Sequence, residues 1–236
     1  IKITKSKTFI PKEIINKFKN STIYESSDFI IFNKWTGIFT QGGNITGISI
    51  DDIIKNLSDE FSLVHRLDKD TSGLLIIAKN YKSAKVFGKL FRDREIEKMY
   101  LAICQGSPRN LNSIVKLGIN RKNSDKKLPT VTKYKVINKF NKVSLVLYKP
   151  LTGRMHQLRI VSKYLNCPII GDEKYSINNK YTKEQLKLNA FYLRFTFKNH
   201  QYEFRSMLPQ HILKFMKKLN LVVPSGEKLE NLSKTF

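Results

Sequence analysis

The sequence reads as an α+β chain. Strand-like runs, marked by alternation or by β-branched and aromatic content, are interspersed with helical stripes recurring every three and four residues. Its 236 residues suffice to bury a substantial core, and nothing in that length demands more than one domain. These patterns fit the α+β class, although periodicity alone does not select an architecture.

Residues 1–21 are lysine-rich and end in Pro11-Lys-Glu-Ile-Ile-Asn-Lys-Phe18, a pattern compatible with a brief helix, and read as a basic arm or linker. Ile23-Tyr24 and Phe29-Ile-Ile-Phe32 are strand-like pieces around a polar turn. Ile50, Ile53, Ile54 and Leu57 then fall at helical spacing, with Ser49 placed to cap them. Next come two β-prone ends, Ser62-Leu-Val64 and Leu74-Leu-Ile-Ile77, separated by the turn formers Asp68, Asp70, Thr71, Ser72 and Gly73. The spacing predicts a hairpin in which charge sits where a strand opens into a loop. An extended Val64 to Asp68 would set Arg66 and Asp68 on one face, about 7 Å apart, with His65 and Leu67 on the other. A solitary Asp in such a loop ordinarily caps its own turn.

From Tyr81 to Arg92 a helical face carries Ala84, Phe87, Leu90 and Phe91, and the basic residues Lys82, Lys85, Lys89 and Arg92 lie elsewhere around it. Those aromatics read as core. Ile96 to Gly106 alternates as a strand, with Lys98, Tyr100, Ala102 and Cys104 sharing a face. Val143 to Tyr148 is a further strand, turned by Pro150-Leu-Thr-Gly153. From His156 the pattern is helical: Leu158, Val161, Ser162 and Leu165 face inward, His156 and Arg159 share another face, and Pro168 stops the helix. Asn199-His200 turns the chain into Tyr202 to Ser206, and Pro209 opens a last helix with Ile212, Phe215, Met216 and Leu219 at helical spacing. Residues 223–236 read as a polar tail.

A formal charge of +24 attracts polyanions, so nucleic acid is the first candidate partner. A composition rich in Lys, Asn and Ile accounts for part of the excess. Clustering argues against assigning more of it to composition: between Arg121 and Lys142 stand eight basic residues (Arg121, Lys122, Lys126, Lys127, Lys133, Lys135, Lys139, Lys142) against Asp125 alone, with Tyr134 and Phe140 interleaved. No apolar run approaches bilayer length and the start lacks a secretory leader, so a cytoplasmic location is expected and no membrane partner. Cys104 and Cys167 sit in apolar segments and read as reduced core residues. The four histidines are scattered, so no metal site is expected. No P-loop or dinucleotide fingerprint occurs, and no cofactor is expected.

The string His65-Arg-Leu-Asp-Lys-Asp-Thr-Ser-Gly-Leu-Leu75 resembles the signature of the RluA/RluC/RluD family of pseudouridine synthases. Four further stretches are similar to that family's motifs, in order: Asn33-Lys-Trp-Thr-Gly37, Lys98-Met-Tyr100 with Ala102 and Gly106, Thr152-Gly-Arg-Met-His-Gln-Leu-Arg159 with Pro168 to Tyr175, and Leu188-Asn-Ala190. Trp35 replaces the usual proline and Asn189 the usual histidine. The likeness spans about Thr22 to Leu219, so residues 22–222 would form the catalytic domain. It implies a long bent mixed, mainly antiparallel sheet with flanking helices and a central cleft. It is greatest to the C type acting on the bacterial large subunit, whose members carry an S4-like RNA-binding domain ahead of the catalytic one; residues 1–21 would be the segment connecting to it.

By the resemblance Asp68 is the catalytic residue, acting as nucleophile or base, Tyr100 would pack against the target uracil and could assist removal of the carbon-bound proton, and Arg159 would pair with Asp68. Arg66 would fill the space left by a flipped base or bind phosphate. Lys34, His65, Thr71, Lys98, Arg154, His156 and Gln157 fall in the same motifs and are expected to bind substrate RNA. The implied substrate is 23S ribosomal RNA, with transfer RNA as the alternative; no protein partner is implied. A glycosidase would need two carboxylates flanking the sugar bond, and Asp70 is too near Asp68 in sequence to serve across a cleft. A non-catalytic RNA-binding protein would fit the charge equally, but does not account for Asp68, Tyr100 and Arg159 together.

Overall fold

The computed structural model describes residues 9–42, 47–120, 126–176, 181, 183–222, 231 and 236. In chain order the elements are α1 (Lys12–Asn20), β1 (Thr22–Glu25), β2 (Phe29–Lys34), α2 (Ile50–Leu57), β3 (Ser62–Leu63), β4 (Ser72–Ala78), α3 (Tyr81–Arg92), β5 (Glu97–Gln105), β6 (Asn112–Asn120), β7 (Lys127–Phe140), β8 (Val143–Pro150), α4 (Gln157–Tyr164), β9 (Leu188–Phe197), β10 (His200–Arg205) and α5 (Gln210–Lys218). The architecture is α+β: one ten-stranded sheet in the order β1-β2-β4-β9-β5-β8-β7-β6, with β3 added to β4 and β10 to β9.

Among the described residues every pairing between these strands is antiparallel except β4 with β9, which join in parallel over two residue pairs, Ser72↔Asn189 and Gly73↔Ala190. This short seam divides the sheet into two halves. It depends on Gly73: at φ +109 the residue sits where a Cβ would fall 2.3 Å from the Ala190 carbonyl oxygen, a distance no side chain tolerates. The signature loop leads directly into this seam.

Each half buries apolar side chains on both faces, which is why β4 reads as an unbroken apolar run rather than an alternation. In the first half Phe18, Phe32, Ile50, Ile53, Ile54, Leu75 and Ile77 form one layer, and Phe29, Ile31, Leu74, Ile76 and Phe87, joined across the seam by Phe195 of β9, the other. In the second half Leu101, Leu145 and Leu147 pack against Ile212 and Met216 of α5, while Val146, Tyr148 and Cys167 pack against Leu158 and Val161 of α4. Tyr100 adjoins the layers on the same side of both halves. Cys104 and Cys167 are buried free thiols.

Local signals explain the helices. Ser49 and Asp52 form a reciprocal capping box at the start of α2, and the Asn80 side chain accepts from the Ser83 amide at the start of α3. Four features depart from the sequence expectations. Helix α1, expected only as a brief helix within a basic arm or linker, is docked on the sheet: Phe18 is buried and stacks on Phe32 at 4.5 Å. Helix α4 stops at Tyr164, before Pro168, because Asn166 adopts a left-handed φ of 55 and closes the last turn. The basic cluster after residue 120 belongs largely to β7, and Tyr134 there is buried, leaving only Phe140 of the two aromatics exposed; Arg121, Lys122 and Asp125 lie outside the described residues. The signature hairpin pairs only Ser62 and Leu63 with β4, so residues 64–71 form a loop and the alternation expected for Arg66 and Asp68 does not arise from a strand.

Candidate active site

The loop carrying Asp68 is held from four sides. The Thr40 hydroxyl donates to the Leu67 carbonyl at 2.6 Å and accepts from the Leu67 amide at 3.1 Å. Gly37 N–H donates to the Lys69 carbonyl at 3.0 Å, and Thr36 Oγ1 to the Asp70 carbonyl at 2.9 Å. Lys34 Nζ donates to the carbonyls of Trp35, Ile38 and Lys69. On the far side His65 Nε2 accepts from the Ile76 amide at 2.8 Å, replacing the ladder bond that β3 is too short to supply, while its ring stacks on Phe91 at 4.6 Å. Residues 34–40 therefore act as a clamp on the Asp68 loop. Trp35, in the usual place of proline, is itself braced edge-on by Phe32 and lies beneath the Lys17 ammonium at 4.5 Å.

Asp68 faces a cleft of about 990 Å³ whose far wall is the end of β8, the loop after it and the start of α4. That wall is fixed by Gln157, whose amide oxygen accepts from Thr152 Oγ1 and the Arg154 amide, while its nitrogen donates to Thr132 Oγ1 and the Val131 carbonyl. His156 precedes α4 in a left-handed conformation, φ 55 and ψ 18, which for a histidine is strained and brings Nε2 to 3.8 Å from Asp68 Oδ2. Its Nδ1 is 3.0 Å from the Tyr175 hydroxyl.

Arg159 links two carboxylates. Its Nε and Nη2 donate to the two oxygens of Asp172, each at 2.8 Å, and its Nη1 lies 3.8 Å from Asp68 Oδ2. The Asp172 side chain is fully buried and also accepts from the amides of Lys174 and Tyr175. Its turn requires Gly171, where φ is +80 and a Cβ would meet the Gln185 backbone at 2.4 Å. Burial opposes the Arg159 charge, but Asp172 and then Asp68 more than offset it, so the guanidinium is held above its ordinary pKa. Burial lowers His156, against the pull of Asp68, and Arg159 and Lys174 add to the lowering.

Tyr100 lines the same cleft. Burial, reinforced by the Asp68 charge, pushes its phenol upward, so the hydroxyl stays protonated at neutral pH. Lys98 Nζ lies 5.5 Å from the Phe91 ring, and burial lowers its pKa. Behind the loop, Asn189 Nδ2 donates to Ser72 Oγ at 2.9 Å, whereas its Oδ1 finds no hydrogen-bond partner among the described residues.

The cleft thus brings together Asp68, Tyr100, Arg159, Arg66, Thr71, Lys98, Arg154 and His156, with Arg66 and Arg154 exposed and Thr71 buried. Three residues expected to meet RNA do something else. Lys34 is 1% exposed with its ammonium directed into three carbonyls, and burial lowers its pKa to about 7, against Asp70 and Asp68. Gln157 is buried with both ends of its amide engaged. His65 borders the cleft, but burial and Lys98 lower its pKa to about 3, so it is a neutral acceptor for Ile76 rather than a phosphate-binding cation. Sequence reasoning missed Asp172 and Tyr175 as site residues. Both stand in the segment Pro168 to Tyr175, whose likeness to a family motif was the available signal.

The sequence pattern of RNA pseudouridylate synthases matches residues 28–164, more than half of the chain. The chain belongs to that family. Among curated pseudouridine synthases it is 43% identical over 167 residues to the ribosomal large subunit pseudouridine synthase C of Rickettsia bellii (strain RML369-C), covering 65% of this chain and 56% of that one. It is 34% identical over 230 residues to the ribosomal large subunit pseudouridine synthase D of Borreliella burgdorferi, covering 85% and 71%. The chain spans just over half the length of several of the curated synthases it matches. Human RNA Pseudouridylate Synthase Domain Containing 4 shares the synthase fold at a TM-score of 0.80 and 24% identity, over 90% of this chain and 98% of that one.

Proposed function

We propose that this chain carries the catalytic machinery of an RNA pseudouridine synthase that isomerises uridines in large-subunit, 23S ribosomal RNA. The observation that carries the reading is Asp68 on a clamped loop at the floor of an open cleft, 3.8 Å from Arg159, with Tyr100 beside it. The names of the curated synthases to which it is similar support the large-subunit substrate over transfer RNA.

In this reaction the bond from N1 to C1′ breaks, the base turns, and a bond from C5 to C1′ forms. The proton leaves C5 and N1 ends protonated, so atoms balance without a redox partner. A stacked uridine cannot reach Asp68, and the cleft has the volume to receive it once turned out of its stack. Asp68 acts at the glycosidic centre as nucleophile or base. Arg159, oriented by Asp172, supplies positive charge beside that carboxylate, and His156 approaches the same oxygen. A phenol held protonated is a poor proton acceptor at neutral pH, which favours packing and hydrogen-bond donation as the role of Tyr100. Arg66 and Arg154, exposed on the rim, hold phosphates.

Asp68→Asn keeps the size of the side chain and removes its charge. Pseudouridine formation, followed by carbodiimide-blocked primer extension on ribosomal RNA, is expected to disappear while RNA binding persists. Turnover of the variant at the wild-type rate would contradict the assignment.

A further inference from the structure

Helix α3 presents a charged face that the cleft chemistry does not use. Lys82, Lys85, Lys89 and Arg92 are all exposed. Their spacing of three, four and three residues confines them to an arc of roughly 80° at 100° per residue, opposite the buried Phe87. The helix contains no acidic residue; Asp93 and Glu95, both exposed, follow its end. Among the described residues none of these four cations has an ion-pair partner. Like charges three and four apart repel along a helix, so the stripe weakens α3 unless an anion covers it.

The stripe also points somewhere. Phe91, Arg92 and Arg94 line the cleft that holds Asp68, and Arg94 turns the chain there at a φ of 62. From Lys82 to Arg92 the stripe runs about 15 Å, the reach of roughly four successive phosphates of a helical strand. Unpartnered cations at that spacing complement a phosphodiester backbone. We propose that this face of α3 is a docking track for the RNA backbone adjoining the target nucleotide, leading that strand over Arg92 and Arg94 into the cleft. The track rests on the proposed RNA-modifying function and extends it beyond the cleft.

Binding is measured in the Asp68→Asn protein, so that turnover does not enter, with a hairpin RNA of about 20 nucleotides, uridines in its loop, over roughly 50 to 300 mM KCl. Combining Lys82→Gln, Lys85→Gln and Lys89→Gln keeps good helix formers. It is expected to reduce the slope of log affinity against log salt by about 2 to 3, and affinity near 0.1 M salt by about two orders of magnitude. Lys214→Gln, Lys217→Gln and Lys218→Gln, together, remove the same charge from exposed positions of α5 and are expected to change the slope by less than about one. Each single α3 substitution, which leaves the helix least disturbed, is expected to lower the slope by about 0.7 to 0.9. Equal losses in the two triple variants, or an unchanged slope in the α3 variants, would overturn the track. So would α3-dependent binding to phosphatidylserine vesicles with RNA affinity unaltered. If the wild-type protein makes pseudouridine and the slopes are equal, only the track fails; if it binds through α3 and makes none, only the proposed activity fails.

Discussion

His65→Phe tests how the Asp68 loop is supported. Phenylalanine keeps the stack on Phe91 but cannot accept from the Ile76 amide, which His65 Nε2 reaches at 2.8 Å. An orphaned amide at this depth costs about 1–3 kcal/mol, so at pH 7 the variant is expected to be less stable by about 2 kcal/mol. The pH dependence carries the sharper content. Burial and the nearby Lys98 lower the folded pKa of His65 to about 3, below the unfolded value of about 6.5. Protonation therefore favours the unfolded chain: the stability contributed by the neutral ring is whole above pH 6.5 and is lost as pH falls from there toward 3. At pH 5 the wild-type protein has given up about 2 kcal/mol through this one group, an upper figure because the ring keeps some exposure. Phenylalanine gives up nothing. The two stabilities are expected to converge near pH 5, with the variant ahead below it. Urea unfolding of both proteins at pH 7, 6 and 5, at matched ionic strength, measures the difference directly, because His156 and His211, which burial also lowers, titrate in both and cancel. A gap that stays constant across that range would refute the neutral, amide-bound ring.

Two other substitutions test the frame around the cleft. Gly73→Ala, with a Cβ 2.3 Å from the Ala190 oxygen at φ +109, is expected to destabilise the chain by more than about 3 kcal/mol; an unaltered thermal midpoint would mean that the seam adapts. Asp172→Asn, which breaks a buried bidentate pair, is expected to cost about 3–5 kcal/mol and to slow pseudouridine formation, with Asp172→Glu recovering part of both; a wild-type rate in a stable variant would show that Arg159 needs no orienting partner.

The fold was readable where burial and local chemistry agree. The Ser49 cap with its isoleucines and the Phe87 stripe of α3 each satisfy a local rule and a packing need at once. The β6 and β7 ribbon shows the opposite case. Its inward positions in β7 include Thr130 and Thr132, polar residues that are buried because their hydroxyls find partners in neighbouring segments, so in the sequence the segment reads only as a basic cluster and not as a strand. The end of α4 was misplaced for a related reason: proline is a visible stop, whereas an asparagine in a left-handed turn is visible only in the backbone.

The site divides along the same line. Asp68, Tyr100 and Arg159 come from a loop, a strand and a helix far apart in the chain, and no periodicity relates them; only likeness to a family joined them before the structure did. Likeness alone, however, treats every motif position as though it touched substrate. Lys34 and Gln157 show why that inference is incomplete. An open cleft must hold a carboxylate on a loop without strand pairing, and the cheapest source of rigidity is a polar side chain directed into the loop's own carbonyls and amides. Motif residues therefore split into those that face the cleft and those that hold its walls. Burial separates the two: Lys34 at 1% exposure is a brace, whereas Arg66 and Arg154, exposed on the rim, remain free to meet a phosphate.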